Sequence, residues 1–153
     1  MVLPWKSAEA WCKKGRAYAE QKQYTRAFEC YDRAIQQSTG SGAVWYHKGL
    51  ALAATGRHQE AIDCFDQAIK IEPTCARFWQ ARGQAMYDIG EYREAAASSG
   101  QAVKLAPDSV AAWLIRGHAL QKIGLTPEAI ACYDRVVMLE PDRVDAWFTR
   151  GTA

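Results

Sequence analysis

The sequence predicts an all-α fold, an array of antiparallel helical hairpins stacked in series. Three observations predict it. Trp11, Trp45, Trp79, Trp113 and Trp147 recur at a constant step of 34 residues. Each is followed four residues later by a glycine: Gly15, Gly49, Gly83, Gly117 and Gly151. Ala27, Ala61, Ala95 and Ala129 keep the same step, as do Pro73, Pro107 and Pro141. Five registers of one Trp-x-x-x-Gly pattern do not arise by chance.

The register divides the chain into a leader (1–7), four repeats (8–41, 42–75, 76–109 and 110–143) and the first part of a fifth (144–153). Each full repeat reads as two helices. In the second, Trp45, Gly49 and Leu52 fall at i, i+4 and i+7, one face of a helix. Gly56 follows as a residue suited to ending it. Ala61, Cys64, Phe65, Ala68, Ile69 and Ile71 then carry a second helical period, and Pro73 stops it. In the fourth repeat Thr126 is placed to cap the second helix and Pro127 to occupy its first position. Glu128 lies in its first turn, where the helix dipole favours an acid. First helices are expected over 8–21, 42–55, 76–89 and 110–123, and second helices over 24–37, 58–71, 92–105 and 126–139. The short connections make each pair an antiparallel hairpin. Gly49 and Ala61 permit close backbone approach, with Trp45 and Phe65 supplying bulk around the contact. No single hairpin buries such a face alone, so the repeats must stack.

On these residues the chain resembles the tetratricopeptide repeat family, over residues 8–143 and the fragment 144–153. The resemblance implies a right-handed superhelical solenoid whose concave groove, lined mainly by the first helices, takes a peptide or a partner's helix. Two departures stand out. Thr39-Gly40-Ser41-Gly42 replaces the proline exit of later repeats, so a looser loop is expected there. Ser99 stands where other repeats place Tyr31, Phe65 and Tyr133, and Gly100 follows it. Larger neighbours could compensate, or the place could be a shallow pocket or a hinge.

If Trp and Gly face the partner helix, the next strip of each first helix starts two residues before the Trp. It gives Glu9, Cys12, Arg16 and Ala19; Ala43, Tyr46, Leu50 and Ala53; Arg77, Gln80, Gln84 and Tyr87; Ala111, Leu114, His118 and Gln121; then Asp145 and Phe148. The candidate peptide-contacting residues are Glu9, Cys12, Arg16, Tyr46, Leu50, Arg77, Gln80, Gln84, Tyr87, Leu114, His118 and Phe148. This strip is lightly charged and carries aromatic and aliphatic side chains, the chemistry of a binding surface. Some members are expected to pack against the next repeat instead.

Some proteins of the family grip an acidic C-terminus with a two-carboxylate clamp of Lys and Asn. The matching positions here are Cys12, Arg16, His47, Arg77 and Ala81, of which only the two arginines are basic. A co-chaperone clamp is therefore the alternative reading, as is a regulatory domain attached to a kinase or other signalling enzyme. An extended peptide or helix with apolar anchors fits better.

Other functions find little support. No nucleophile elbow, Gly-rich phosphate loop or His-Glu-x-x-His motif occurs, so no enzymatic activity is expected. His47 and His118 occupy different repeat positions and are expected to meet solvent. A formal net charge of +2 and apolar residues such as Tyr46 and Leu114 on the strip argue against nucleic acid. No apolar run approaches a membrane span and no signal peptide is visible, so a cytoplasmic location without membrane insertion is expected. Five cysteines without a Cys-x-x-Cys pair read as free, buried thiols, with no structural zinc or other cofactor expected. The closing Asp145-to-Ala153 fragment lacks its second helix. The array is expected to continue in a longer protein, and the raw end could support end-to-end self-association.

Overall fold

The computed structural model describes residues 7–37 and 41–142. Among them lie eight helices: α1 (Ala8–Glu20), α2 (Tyr24–Gln37), α3 (Gly42–Ala54), α4 (His58–Ile71), α5 (Ala76–Asp88), α6 (Tyr92–Leu105), α7 (Val110–Lys122) and α8 (Thr126–Leu139). The first helix of each pair stops one residue earlier than the periodicity suggested, because the last turn closes as a Schellman cap. In the second repeat Arg57 N donates to Leu52 O and Gly56 N to Ala53 O, with Gly56 at φ 78°. Gly90 and Gly124 repeat the geometry. In the first repeat the same two bonds run from Gln23 to Tyr18 and from Lys22 to Ala19, and Lys22 takes the left-handed conformation at φ 58°. A lysine therefore occupies a position that suits glycine. Ser7 and Ser109 cap α1 and α7 through their hydroxyls, which accept from Ala10 N and Ala112 N. Thr126 is not a cap: Leu125 holds that place, Thr126 is the first helical residue and Pro127 the second. Proline is tolerated there because its missing N–H has no intrahelical partner to lose.

In three of the four hairpins the glycine of the first helix lies under the aromatic ring of the second. A Cβ at Gly15 would come within 2.6 Å of Tyr31, at Gly49 within 2.5 Å of Phe65, and at Gly117 within 2.6 Å of Tyr133. The glycine clears space for the ring, a closer constraint than its pairing with the alanine of the second helix. The third hairpin solves the problem differently. Ser99 offers no ring, and a Cβ at Gly83 would instead meet backbone first, Ser99 N at 3.2 Å. Ser99 is fully buried and donates its hydroxyl to Ala95 O at 2.6 Å.

The chain forms two compact units, divided after Pro73. In the first, α2 packs on α3 and α1 touches α3. Val44 and Ala51 of α3 join Trp11, Cys30, Tyr31 and Ala34 in one core cluster. Lys48 reaches back from α3 to Asp32 of α2 at 2.7 Å. In the second unit α6 packs on α7 and α5 on α7. The tryptophans do more than fill their own hairpin. Trp113 packs against Ala102 and Val103 of the preceding second helix, and its Nε1 donates to Pro107 O at 2.8 Å. Trp45, Trp79 and Trp113 are only partly buried, whereas the preceding residues Val44, Phe78 and Ala112 are fully buried. The expected loose loop at Thr39-Gly40 and the fragment 144–153 lie outside the described residues.

Candidate peptide groove

In the first unit the apolar spacing that forms α1 and α3 also sets one flank of each helix toward the other. Two adjoining recesses lie along this seam. One, of about 330 Å³, is lined by Arg16, Ala19, Glu20, Tyr24, Tyr31, His47, Leu50, Ala51 and Ala54. The other, of about 430 Å³, is lined by Glu9, Cys12, Lys13, Arg16, Ala17, Glu20, Ala43 and His47. They share Arg16, Glu20 and His47, so charged groups of both signs stand over a floor of Tyr31 and alanines. Four candidates from the sequence, Glu9, Cys12, Arg16 and Leu50, are brought together here.

Two of the sequence candidates behave differently from expectation. Cys12 is 8% exposed and belongs to the core as much as to the recess. Burial pushes its thiol pKa up, against the opposing pull of Arg16. Tyr46 lines neither recess. Its ring packs on Phe65 at 6.1 Å and on His47 at 5.2 Å. His47, one residue on, takes the place facing the seam. Glu20, Tyr24 and Lys13 were also missed. Lys13 and Glu20 fall just outside a strip drawn at fixed helical offsets, and Tyr24 belongs to α2, which a strip confined to first helices leaves out.

In the second unit several candidates pack on neighbouring helices. Ser109 of α7 donates to Gln80 Oε1 of α5 at 3.0 Å. Tyr87 stacks edge-on against Tyr92 at 5.2 Å and against His118 at 6.3 Å. His118 in turn lies 5.7 Å from Tyr133, whose hydroxyl donates to Gln121. His118 is thus half-buried in an aromatic row. Burial raises the Tyr133 pKa to about 12. Leu114 is half-buried beside the Leu120, Cys132 and Tyr133 cluster. Arg77 and Gln84 are exposed, and Gln84 donates to Asp88 of its own helix. Phe148 lies outside the described residues.

Among the described residues no group of His, Cys, Asp or Glu is arranged to hold a metal ion. None of the described helices is long and apolar enough to cross a membrane.

Family profiles described as Tetratricopeptide repeat match residues 8–38, 42–75 and 80–137. The chain belongs to the tetratricopeptide repeat family. No curated protein matches it in sequence. Among solved structures, MamA from Desulfovibrio magneticus RS-1 is 20% identical, with a TM-score of 0.88 over 95% of this chain and 82% of its own. YrrB, described as a repeat protein with an unusual peptide-binding site, is 20% identical, with a TM-score of 0.85 over 95% of this chain and 75% of its own. At that identity both likenesses show the fold. The first tetratricopeptide domain of Spaghetti, solved with the HSP90 peptide SRMEEVD, is 26% identical, with a TM-score of 0.71 over 73% of this chain and 89% of its own. The all-helical repeat fold expected from the 34-residue register is the one these tetratricopeptide structures share.

Proposed function

We propose that this chain is a non-catalytic scaffold that holds an extended peptide or a partner's helix along its first helices, as part of a larger protein or complex. The observation that carries the reading is the paired recess between α1 and α3, where Leu50, 39% exposed, stands beside Arg16, His47 and Glu20. An apolar anchor with charges of both signs around it suits a segment that is part apolar and part charged. The peptide bound by the Spaghetti domain supports the same mode of use. The test is a peptide array probed with the whole chain, then anisotropy on the best ligand with Leu50→Asp/Arg16→Glu. A loss of about tenfold or more is expected, the size of one anchor contact. Equal affinity for the double variant would refute groove binding.

The clamp reading is kept for one reason: Arg16 and His47 do line a common recess. Cys12 and Ala81 supply no donor suited to a second carboxylate. On the main reading, amidating the C-terminus of an acidic heptapeptide leaves its affinity unchanged; a tenfold or larger loss would favour the clamp.

A further inference from the structure

The outer flank of the first hairpin repeats a groove that, in the second hairpin, borders a helix. In the second hairpin this groove is lined by Lys48, Leu52, Glu60 and Cys64, and two residues of α2, Phe28 and Asp32, form its other wall. Asp32 pairs with Lys48 at 2.7 Å, and Arg57 lies over the Phe28 ring at 5.4 Å. In the second unit Arg116, which holds the Lys48 position of the fourth repeat, lies against Gly100 of α6 in the same relation. In these two repeats the basic residue at this position reaches the second helix of the preceding hairpin, whereas Arg82 of the third donates to Ser98 of its own hairpin.

In the first hairpin the same positions are Lys14, Tyr18, Arg26 and Cys30, and they line a recess of about 150 Å³ with Trp11 and Arg33. Among the described residues α1 packs on α2 and α3 alone. The groove also differs in charge. Arg26 stands where the later repeats have Glu60, Glu94 and Glu128. Lys14 lies over the Trp11 and Tyr18 rings, Arg26 over Tyr18 and Arg33 over Trp11. Three cations thus surround two rings, with Glu29 the carboxylate among the lining residues.

We propose that this flank docks an acidic helix of a separate polypeptide, one that presents an aromatic residue and, four positions on, an acid, as α2 presents Phe28 and Asp32 to α3. The acid would meet Lys14, and the aromatic residue would lie beside Tyr18 under Arg26. The reversal from Glu to Arg favours a helix more acidic than α2. A second copy of the chain offers Ile130 and Asp134 on α8 at the matching spacing, but Ile130 is not aromatic and Arg135 adds a cation beside the acid.

The test uses the whole chain and a fluorescein-labelled helical peptide with the sequence of residues 24–37, its two arginines changed to glutamate and its cysteine to serine. Saturable anisotropy is expected, weakened about tenfold or more by Lys14→Glu in the chain, because like charges then face each other. A matching peptide with lysine at the Asp32 position should bind the Lys14→Glu chain better than it binds the unaltered chain. Circular dichroism of the Lys14→Glu chain should be unchanged, since Lys14 is exposed. Three results would overturn the proposal: no saturable binding, no recovery in the charge swap, or binding that appears only when residues 1–6 are deleted. Sedimentation showing a dimer that Lys14→Glu dissolves would also overturn it, by making a second copy the occupant.

Discussion

Two glycines with the same helical context are expected to respond to alanine in opposite directions. Gly49→Ala places a methyl 2.5 Å from the Phe65 ring, so either the ring or α3 must move. The overpacking exceeds the gain in helix propensity, and a loss of about 1–3 kcal/mol is expected in denaturant melts. Gly100 is helical too, but a Cβ there meets the Arg116 guanidinium at an ordinary 3.7 Å. Gly100→Ala should stabilise by about 0.5–1 kcal/mol, since it removes chain entropy without a clash. Lys22→Gly should raise stability by about 1 kcal/mol, because a lysine at φ 58° bears the Cβ strain that Gly56 avoids in the next repeat. Equal melting midpoints for Gly49→Ala and Gly100→Ala would show the glycine–ring contact to be unimportant.

The cysteines and tyrosines set a pH limit at the same scale. Burial raises the Cys64 thiol to about 11 from an ordinary 9.0, with Lys48 pulling the other way. The folded state then holds its proton more tightly than the unfolded state between those values. Its stabilising effect is complete below pH 9 and is lost as pH rises toward 11. Tyr133 acts in the same direction between its ordinary 10.0 and about 12. Stability should therefore decline from about pH 9 upward, and Cys64→Ala should flatten the first part of that decline. Iodoacetamide on the folded chain should label Cys75, which is half-exposed, ahead of Cys12, Cys30, Cys64 and Cys132, which are buried.

At the scale of the element, the helices were legible in the sequence because three independent signals agree: the apolar period, the residues at the caps and the 34-residue repeat. The misplacements have local causes. Each first helix ends a residue early because the Schellman bonds need the residue two positions on, Lys22, Gly56, Gly90 or Gly124, in the left-handed region. Thr126 lost the cap to Leu125, since a cap is decided by backbone angle as well as by side-chain chemistry. The third hairpin shows what composition alone does not reveal. Ser99 and Gly100 left open compensation by larger neighbours, a shallow pocket or a hinge; in the structure Ser99 is fully buried, and a Cβ at Gly83 would meet its backbone. Ser99→Phe, which restores the ring found in the other repeats, should accordingly destabilise by about 1–3 kcal/mol, because Ser99 is fully buried. Hydrogen exchange over 92–103 should match that over 58–69, while a markedly faster α6 would restore the hinge reading.

At the scale of the whole molecule, a repeat array is held by contacts between neighbouring elements, so damage stays near its origin. Gly49→Ala should lower amide protection in α3 and α4 well before it affects α7 and α8, which is measurable by native-state exchange. Uniform loss along the chain would indicate one cooperative block. The groove is decided at this scale too. Glu9, Arg16 and Leu50 were found by helical offsets, whereas His47 and Glu20 fall outside that strip and Tyr24 comes from α2. Tyr46 left the strip for the Phe65 ring, and His118 for the row between Tyr87 and Tyr133.

By itself the sequence determined the repeat length, the helix pairs and the family to which the chain belongs. These depend on local spacing, and local spacing is written in the order of residues. The tertiary structure alone decided which flank of each helix remains accessible, which glycines lie under rings, what Gly83 meets in place of a ring, and where the first hairpin repeats a groove that α2 borders in the second. Those depend on the angle and distance at which two helices meet, and the meeting is fixed by the packing of side chains far apart in the chain.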